Sequence, residues 1–322
     1  MKKSIRIWLI TATALIVFGA TLFGFAACSP TGNIKALFNQ DYTLKTHEIT
    51  EEFSDLSINT DTADIIFAKS SDGQCKVECF ESDKLTHSVS VQDGVLTIKP
   101  IDKREWFDHI RLFSFSKDKI TVYLPQTEYG DLTLETDTGD VQIPNGFKVN
   151  TITITGSTGN VNVNAYVIGK MEINISTGNI RLSDTTAQSL ALSLSTGNIS
   201  VQTATIKNGV SVHTSTGDTC LTNLTCNTFS FDSSTGELEM RNVVATEKFT
   251  IDNGTGDVKF ERCDASEISV TVSTGDVTGT LLSDKIFIVD TSTGKKDVPK
   301  TTTGGICEIT TSTGDVKIEI TQ

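Results

Sequence analysis

The chain has 322 residues, of which 37% are hydrophobic, and a formal net charge of −13. A chain of this length can bury a sizeable core, and its acidic residues are scattered rather than grouped. Nucleic acid and anionic lipid both require clustered Lys and Arg, so the charge argues against either as the main partner. The 24 Gly against 5 Pro, with abundant Thr, Ser, Val and Ile, favour many short strands joined by tight turns.

Residues 1–28 are predicted to be a membrane-targeting segment. Three positive charges in the first six residues precede an uncharged stretch from Ile7 to Ala27. That stretch is long enough to span a bilayer as a helix, and the positive flank predicts a cytoplasmic N-terminus with the C-terminal domain outside. This is the first prediction: a single-pass cell-membrane protein, tethered through residues 7–27.

A lipoprotein signal is the alternative for the same segment. Phe25-Ala26-Ala27-Cys28 resembles a lipoprotein cleavage box, in which Cys28 would be the acylated residue. The protein would then lie on the outer face of the membrane as a lipoprotein. A buried core helix is a third interpretation.

Residues 29–48 are predicted to form a linker, and residues 49–130 an irregular β region that caps the rest of the fold. Within this region, Cys75 to Cys79 has the alternation of a strand, and Val89 to Ile98 has the pattern of a hairpin. A stacked array needs such a cap, because its first turn would otherwise expose an unpaired edge.

The cap contains an inserted loop, residues 102–118, that breaks the pattern. Four aromatic residues form a cluster in it: Trp106, Phe107, Phe113 and Phe115. They are predicted to cover the end of the core, and contact with a partner or a membrane surface is the alternative.

Residues 131–322 contain a repeat of 19 or 20 residues, whose copies carry a Ser/Asp-Thr-Gly-Asp/Asn motif or a close variant. Ten copies are identified by their glycines: Gly139, Gly159, Gly178, Gly197, Gly217, Gly236, Gly256, Gly275, Gly294 and Gly314. A fixed period in units too small to bury their own apolar face is typical of a stacked array.

Apolar residues alternate on both sides of each motif, as in Leu190/Leu192/Leu194 before it and Ile199/Val201 after it. Alternation with period 2 predicts two short strands per turn, with one face inward. The Thr-Gly pair is predicted to form the corner between them, because Gly accepts positive φ at no steric cost. The predicted fold is therefore all-β: a single-chain β-solenoid, or β-helix, of ten or more turns after an N-terminal transmembrane helix.

The start of the solenoid stays open between residues 49 and 131. Residues 59–65 are similar to a degenerate copy of the corner motif, and Ala63 lies 76 residues before Gly139. This spacing equals four periods of 19 residues, so the first turn can lie as early as this copy.

Residues that directly follow the corner glycines would stack in a column with a spacing of about 4.8 Å. Four acids in succession, Asp218, Glu237, Asp257 and Asp276, would repel one another unless they splay into water, take up protons or share a cation. The favoured interpretation is that they are solvated turn residues that satisfy corner amides. Adventitious Ca²⁺ binding along these four acids is the alternative.

Cysteines and histidines do not indicate a further site. Apart from Cys28, the six cysteines have neither the spacing of a zinc site nor an evident disulfide partner in an adjacent turn, so buried free thiols are predicted. The four histidines are isolated, and no nucleophile motif such as G-x-S-x-G occurs. No catalytic residue and no cofactor is therefore predicted.

Four further features occur together: a Lys2-Lys3 start with one apolar span, Phe53–Ile58 leading to Ala63-Asp64-Ile65, Ile120–Pro125, and Tyr129–Leu132 running into the Thr-Gly-Asp repeats. Together they resemble a bacterial family of candidate adhesins with β-strand repeats, known as domain of unknown function 4097. The resemblance covers roughly residues 45–320. It implies a β-repeat ectodomain, often membrane-tethered, with no catalytic residues to transfer.

The expected function is that of a membrane-anchored extracytoplasmic adhesin or surface binding module without catalytic activity. Its partner would be a surface glycan or a protein. The alternative is an accessory or regulatory protein of the cell-envelope stress response that acts with a membrane partner, a role that the resemblance also implies. A polysaccharide-active enzyme is disfavoured, because Arg181, Arg241 and Arg262 lie at unrelated positions in their turns.

Overall fold

The computed structural model describes residues 11–19, 21, 42–103, 118–126 and 128–321. Residues 11–19 are helical. Among the described residues, no helix has the length and apolar character needed to cross a bilayer. Most of the predicted span 7–27, together with Cys28, residues 29–41 of the linker and most of the inserted loop, lies outside the described residues.

The described chain is otherwise β-strand and turn. Seven strands form the N-terminal part: β1 (Tyr42–Ile49), β2 (Asp55–Thr60), β3 (Asp64–Lys69), β4 (Cys75–Ser82), β5 (Leu85–Gln92), β6 (Val95–Asp102) and β7 (Lys119–Leu124). The regular part begins with β8 (Glu128–Thr138), β9 (Val141–Ile143), β10 (Lys148–Thr158), β11 (Val161–Val163), β12 (Tyr166–Val167), β13 (Lys170–Thr177), β14 (Ile180–Ala187), β15 (Ser189–Thr196) and β16 (Ile199–Ile206). It continues with β17 (Gly209–Thr216), β18 (Thr219–Thr235), β19 (Leu238–Thr255), β20 (Val258–Cys263), β21 (Glu267–Thr274), β22 (Val277–Leu281), β23 (Lys285–Thr293), β24 (Lys296–Asp297), β25 (Gly305–Thr313) and β26 (Val316–Ile320).

The strands stack in parallel, coil upon coil, around one apolar core. Strand β15 pairs with β17 so that Leu192 lies opposite Val212, and β16 pairs with β18 so that Ile199 lies opposite Thr219. The alternating apolar residues point inward, and nearly all are at most 3% exposed. The predicted all-β solenoid of about 10 turns is confirmed.

The Thr-Gly corners hold neighbouring coils together through their backbone. The Gly197 N–H, for example, donates to the carbonyl of Thr216 in the next coil at 2.9 Å. Gly197 has a φ of 132°, a conformation that disfavours any side chain. Backbone hydrogen bonds therefore join the coils at the corner, and glycine is sterically required there.

A second bend follows six residues after the corner glycine, as from Gly178 to Asp184, and it uses no glycine. Five successive coils place a residue with φ between 47° and 56° there: Asp184, Thr203, Asn223, Asn242 and Arg262. Asn and Asp tolerate this left-handed conformation, whereas a β-branched residue is strained by it. Thr203 is therefore the sterically least suited residue of the set.

Thr203→Asn is expected to stabilise the protein by about 1 kcal/mol, because the exposed Thr203 side chain loses no buried contact while the backbone strain falls. The measurement is the midpoint of chemical denaturation. Thr205→Asn is the matched control, since Thr205 is an exposed threonine two residues on with no positive φ. An equal gain in both variants would contradict the strain argument.

The N-terminal part of the chain stacks out of sequence order. Strands β2 and β3 pair directly with β8 and β9, so Leu56 lies opposite Leu132 and Ile65 opposite Val141. The 76-residue spacing is therefore one step of the stack, and the interpretation as four periods is wrong. The intervening chain passes to the other side of the same coil, where β6 pairs with β2 and β7 with β3. Antiparallel pairing of β5 with β6, β4 with β7 and β1 with β4 completes the cap.

The C-terminal end shows the same arrangement. Strands β25 and β26 pair with β21 and β22 on one side and with β23 and β24 on the other. The last coil in sequence is thus second to last in space, and the expected stacking of Gly294 on Gly275 does not occur. The coil formed by β25 and β26 is hydrogen-bonded along both of its edges. This pairing protects the C-terminal end of the chain, which would otherwise fray.

Candidate functional site

The acidic column is built as a hydrogen-bonded ladder. The Asp218 carboxylate accepts a hydrogen bond from the Glu237 N–H at 2.9 Å, and Asp257 accepts one from the Asp276 N–H at 3.0 Å. Asp276 accepts one from the Asp315 N–H at 2.7 Å. These carboxylates therefore bind corner amides of the next coil, which gives them a structural role whatever else they bind.

A lysine side chain would compete with a cation for two of the carboxylates in the column. The Lys259 ammonium lies 2.9 Å from a Glu237 oxygen and 3.7 Å from an Asp257 oxygen. In the described part of the chain, no three acids of the column bring oxygens within 4.8 Å of one another. Calcium binding by Asp218, Glu237, Asp257 and Asp276 stays a prediction.

A different surface, at the first regular coils, combines an exposed aromatic ring with polar groups. We call it the Tyr166 groove, and it is lined by Glu128, Asn145, Gly146, Phe147, Lys148, Tyr166, Asp184 and Thr186. The Tyr166 side chain is 50% exposed, whereas its neighbour Val167 is buried. This is a rare position at which the solenoid presents an aromatic ring to solvent.

The local sequence explains why the groove forms here. After β9 ends at Ile143, the segment Pro144-Asn145-Gly146-Phe147 bends away before β10 begins at Lys148. Gly146 has a φ of 104°, which permits this turn. In the next coil, Tyr166 pairs with Lys148 on one side and with Thr186 on the other, and its N–H donates to the Phe147 carbonyl at 3.1 Å. The ring is thus held on an ordered strand.

Two of the charged side chains in the Tyr166 groove form an ion pair. The Lys148 ammonium lies 3.0 Å from the Glu128 carboxylate, and both side chains remain exposed. Such an exposed pair contributes little to stability and is free to exchange its partners for a ligand. Asp184 and Thr186 add an acceptor and a hydroxyl on the opposite side of the ring.

A second groove, which we call the amide groove, adjoins the first and shares Asn145 with it. Its polar lining residues are Gln142, Asn145, Asn162, Asn164, Arg181, Ser183, Ser200 and Gln202. Asn162 lies opposite Gln142 in one neighbouring coil and opposite Arg181 in the other. The buried carbonyl oxygen of the Asn164 side chain has no hydrogen-bond partner. The two grooves together form a polar strip, with an aromatic ring at one end.

Sequence reasoning identified neither groove. It considered Arg181 only as a catalytic candidate, and the structure places this residue among amides rather than beside Arg241 or Arg262. The available signal was Pro144, one of only two prolines in residues 131–322, which marks a coil with an unusual loop. The outward direction of Tyr166 could not be inferred from that signal.

Comparison with known proteins places the chain in a family. The family model described as Toastrack DUF4097 matches residues 53–210 and 184–322. No curated protein matches the chain.

Several solved structures are similar to the chain over most of its length. A candidate adhesin from Bacteroides fragilis is 20% identical and covers 86% of this chain and 97% of its own, with a TM-score of 0.42. A candidate adhesin from Parabacteroides distasonis is 15% identical over 88% and 99%, with a TM-score of 0.49. A candidate lipid-binding protein from the same species is 19% identical over 87% and 98%, with a TM-score of 0.47. Since the family model alone matches well over half of the sequence, the chain belongs to the Toastrack DUF4097 family, as its β-repeat motifs predicted.

Proposed function

We propose that the protein is an extracytoplasmic binding module of the adhesin type, and that it binds a surface glycan at the Tyr166 groove. The observation that carries this proposal is the half-exposed Tyr166 ring between an ion pair and a strip of amide side chains. The ring is an exposed apolar surface with polar side chains on both sides of it.

Sugar chemistry matches this combination. A pyranose has an apolar C–H face that packs on an aromatic ring, and hydroxyls that both donate and accept hydrogen bonds. Asn and Gln side chains offer both functions, as do Ser hydroxyls, and Arg181 adds donors. A carbohydrate can therefore satisfy more of these groups than an apolar ligand could.

The repeat extends the site along the rod. Gln142, Asn162, Arg181 and Ser200 occupy matching positions in four successive coils. Their spacing is that of stacked strands, about 4.8 Å. A linear glycan could lie along this column and contact Tyr166, which lies in the same coil as Asn162, so we infer an oligosaccharide rather than a single sugar.

Surface display is part of the same proposal. The charge pattern of residues 1–28 supports a tether, either as a span through residues 7–27 or through an acylated Cys28. We propose no catalytic activity, since the Glu128 carboxylate in the groove forms an exposed ion pair with Lys148.

Tyr166→Ala is expected to weaken glycan binding about twofold to tenfold, because stacking on an aromatic ring contributes about 0.5 to 1.5 kcal/mol. The measurement is binding of the purified protein to an array of cell-wall fragments and surface glycans, followed by titration of each hit. Ile288→Ala is the matched control, because Ile288 is an equally exposed apolar residue (52%) near the other end of the solenoid.

Two results would overturn the proposal. The first is an array on which the unaltered protein binds nothing. The second is a glycan that binds Tyr166→Ala as tightly as it binds the unaltered protein, which would place the site elsewhere on the rod.

A further inference from the structure

Three metal-ligating side chains meet inside the N-terminal cap, on different elements from the Tyr166 groove. Cys79 and Glu81 lie on β4 and His87 lies on β5, with exposures of 0%, 0% and 5%. The thiol sulfur, a carboxylate oxygen and a ring nitrogen all lie within 4.8 Å of one another. It is the only trio of this kind among the described residues.

The hairpin geometry of β4 and β5 creates this trio. Cys79 and Glu81 are two residues apart on a strand, so they point to the same side. The chain then reverses through a short turn, where Ser82 pairs with Leu85, and His87 returns beside them. The sequence separation of the three residues matches no common zinc motif, and for this reason the sequence alone indicated no metal site.

His87 is oriented from both sides. Its Nδ1 lies 3.0 Å from a Glu81 oxygen, and its Nε2 lies 3.5 Å from the hydroxyl of Thr60. Histidines that bind metals usually have the second ring nitrogen bonded to a neighbouring group, which fixes the tautomer and the direction of the ring. Thr60 is placed to do this while Nδ1 faces Glu81.

Glu81 carries the charge of the cluster and is incompletely satisfied. Its Oε2 accepts a hydrogen bond from the His87 backbone N–H at 2.6 Å, whereas its buried Oε1 has no partner with hydrogen-bond geometry. The Lys45 ammonium lies 2.6 Å from Oε1, but its side chain is 49% exposed on the edge strand β1. A buried carboxylate requires a positive charge nearby, and the present source of that charge can move into water.

We propose that Cys79, Glu81 and His87 form a binding site for a divalent cation of the zinc class, and that Lys45 supplies the balancing charge when the cation is absent. Sulfur, nitrogen and carboxylate oxygen together are a ligand set that zinc accepts, and three protein ligands leave a fourth position open. When Zn²⁺ binds, the Cys79 thiol would release one proton and bind the ion as a thiolate. Metal ligands bind in their deprotonated forms, so the proton leaves the sulfur when the cation binds.

The test uses the full chain, freed of metal with a chelator and titrated first with Co²⁺ and then with Zn²⁺. One equivalent of Co²⁺ is expected to bind and to produce a thiolate-to-cobalt absorption band, which Zn²⁺ then removes. Cys79→Ser should abolish the band, and His87→Gln should weaken Zn²⁺ binding at least about 100-fold. Cys226→Ser is the matched control, because Cys226 is a buried free thiol (5% exposed) within the solenoid and outside the trio, and its loss should leave the band unchanged.

Lys45→Met provides a second test that does not depend on the ligand variants, which can lose the cobalt band simply by failing to fold. It leaves the three ligands intact. Without the competing ammonium, this variant should bind Zn²⁺ about tenfold more tightly and gain more thermal stability from it than the unaltered protein does. A titration without stoichiometric binding, or a cobalt band that survives Cys79→Ser, would overturn the site. Unchanged affinity in Lys45→Met would overturn the role given to Lys45.

Discussion

Gly197→Ala is expected to lower the free energy of unfolding by more than about 4 kcal/mol, a loss that only the most damaging single substitutions reach. A Cβ atom on Gly197 would lie 1.6 Å from the carbonyl oxygen of Gly178 and 2.8 Å from its carbonyl carbon. Both atoms belong to the backbone of the adjacent coil, so no side chain can turn aside to make room. The φ of 132° adds conformational strain to this clash.

Gly94→Ala is the matched control for that substitution. Gly94 also has a positive φ, 76°, but a Cβ there meets nothing within 4 Å. This variant should lose only about 1 to 2 kcal/mol, the ordinary cost of a left-handed residue. Denaturation midpoints of the two variants give the comparison, and equal losses would show that close approach of the coils is unimportant at the corner.

Deletion of residues 301–322 removes one coil and is expected to unfold a second coil that the deletion leaves in the chain. In a solenoid stacked in sequence order, loss of the last coil would leave the preceding coil as a new end. Here the deleted strands β25 and β26 lie between β21–β22 and β23–β24, so the coil Lys285–Asp297 loses its only paired neighbour among the described strands. The ion pair of the buried Lys285 with the partly buried Asp264, at 2.6 Å, is too little to hold that coil in place.

Amide hydrogen exchange measures this outcome residue by residue. In the deletion variant, the amides of Lys285–Asp297 should exchange rapidly, while those of β15 and β16 stay protected. Deletion of residues 321–322 alone is the control and should change little, because it leaves every strand intact. Continued protection of Lys285–Asp297 after the longer deletion would contradict the observed order of the coils.

The regular coil was predictable because each of its features has a local cause. The Leu190/Leu192/Leu194 alternation places three residues on one face of a strand by geometry alone. Gly197 marks a corner because no other residue fits it. The second bend was not predictable, since Thr203 adopts a left-handed conformation that its residue type disfavours and that only the surrounding coil imposes.

The candidate sites had weaker signals. Tyr166 and Val167 are neighbours on one strand and point to opposite faces of it, and pairing of that strand with Lys148 and Val149 of the adjacent coil fixes which face each takes. Cys79, Glu81 and His87 are brought together by a strand reversal between Ser82 and Leu85, and their spacing in the chain is not diagnostic of any metal. Both sites depend on contacts between segments and not on a motif.

The sequence by itself determined the solenoid, its period, its corners and its family, because these depend on alternation and on glycine at fixed intervals. Only the tertiary structure decided the order of the coils at the two ends. Any coil can pair with any other through the same backbone hydrogen bonds, so the repeat carries no information about which neighbours meet. The ladder that joins Asp276 to Asp315, instead of to Lys295, is the result: the terminal coils are inserted where both of their edges are paired.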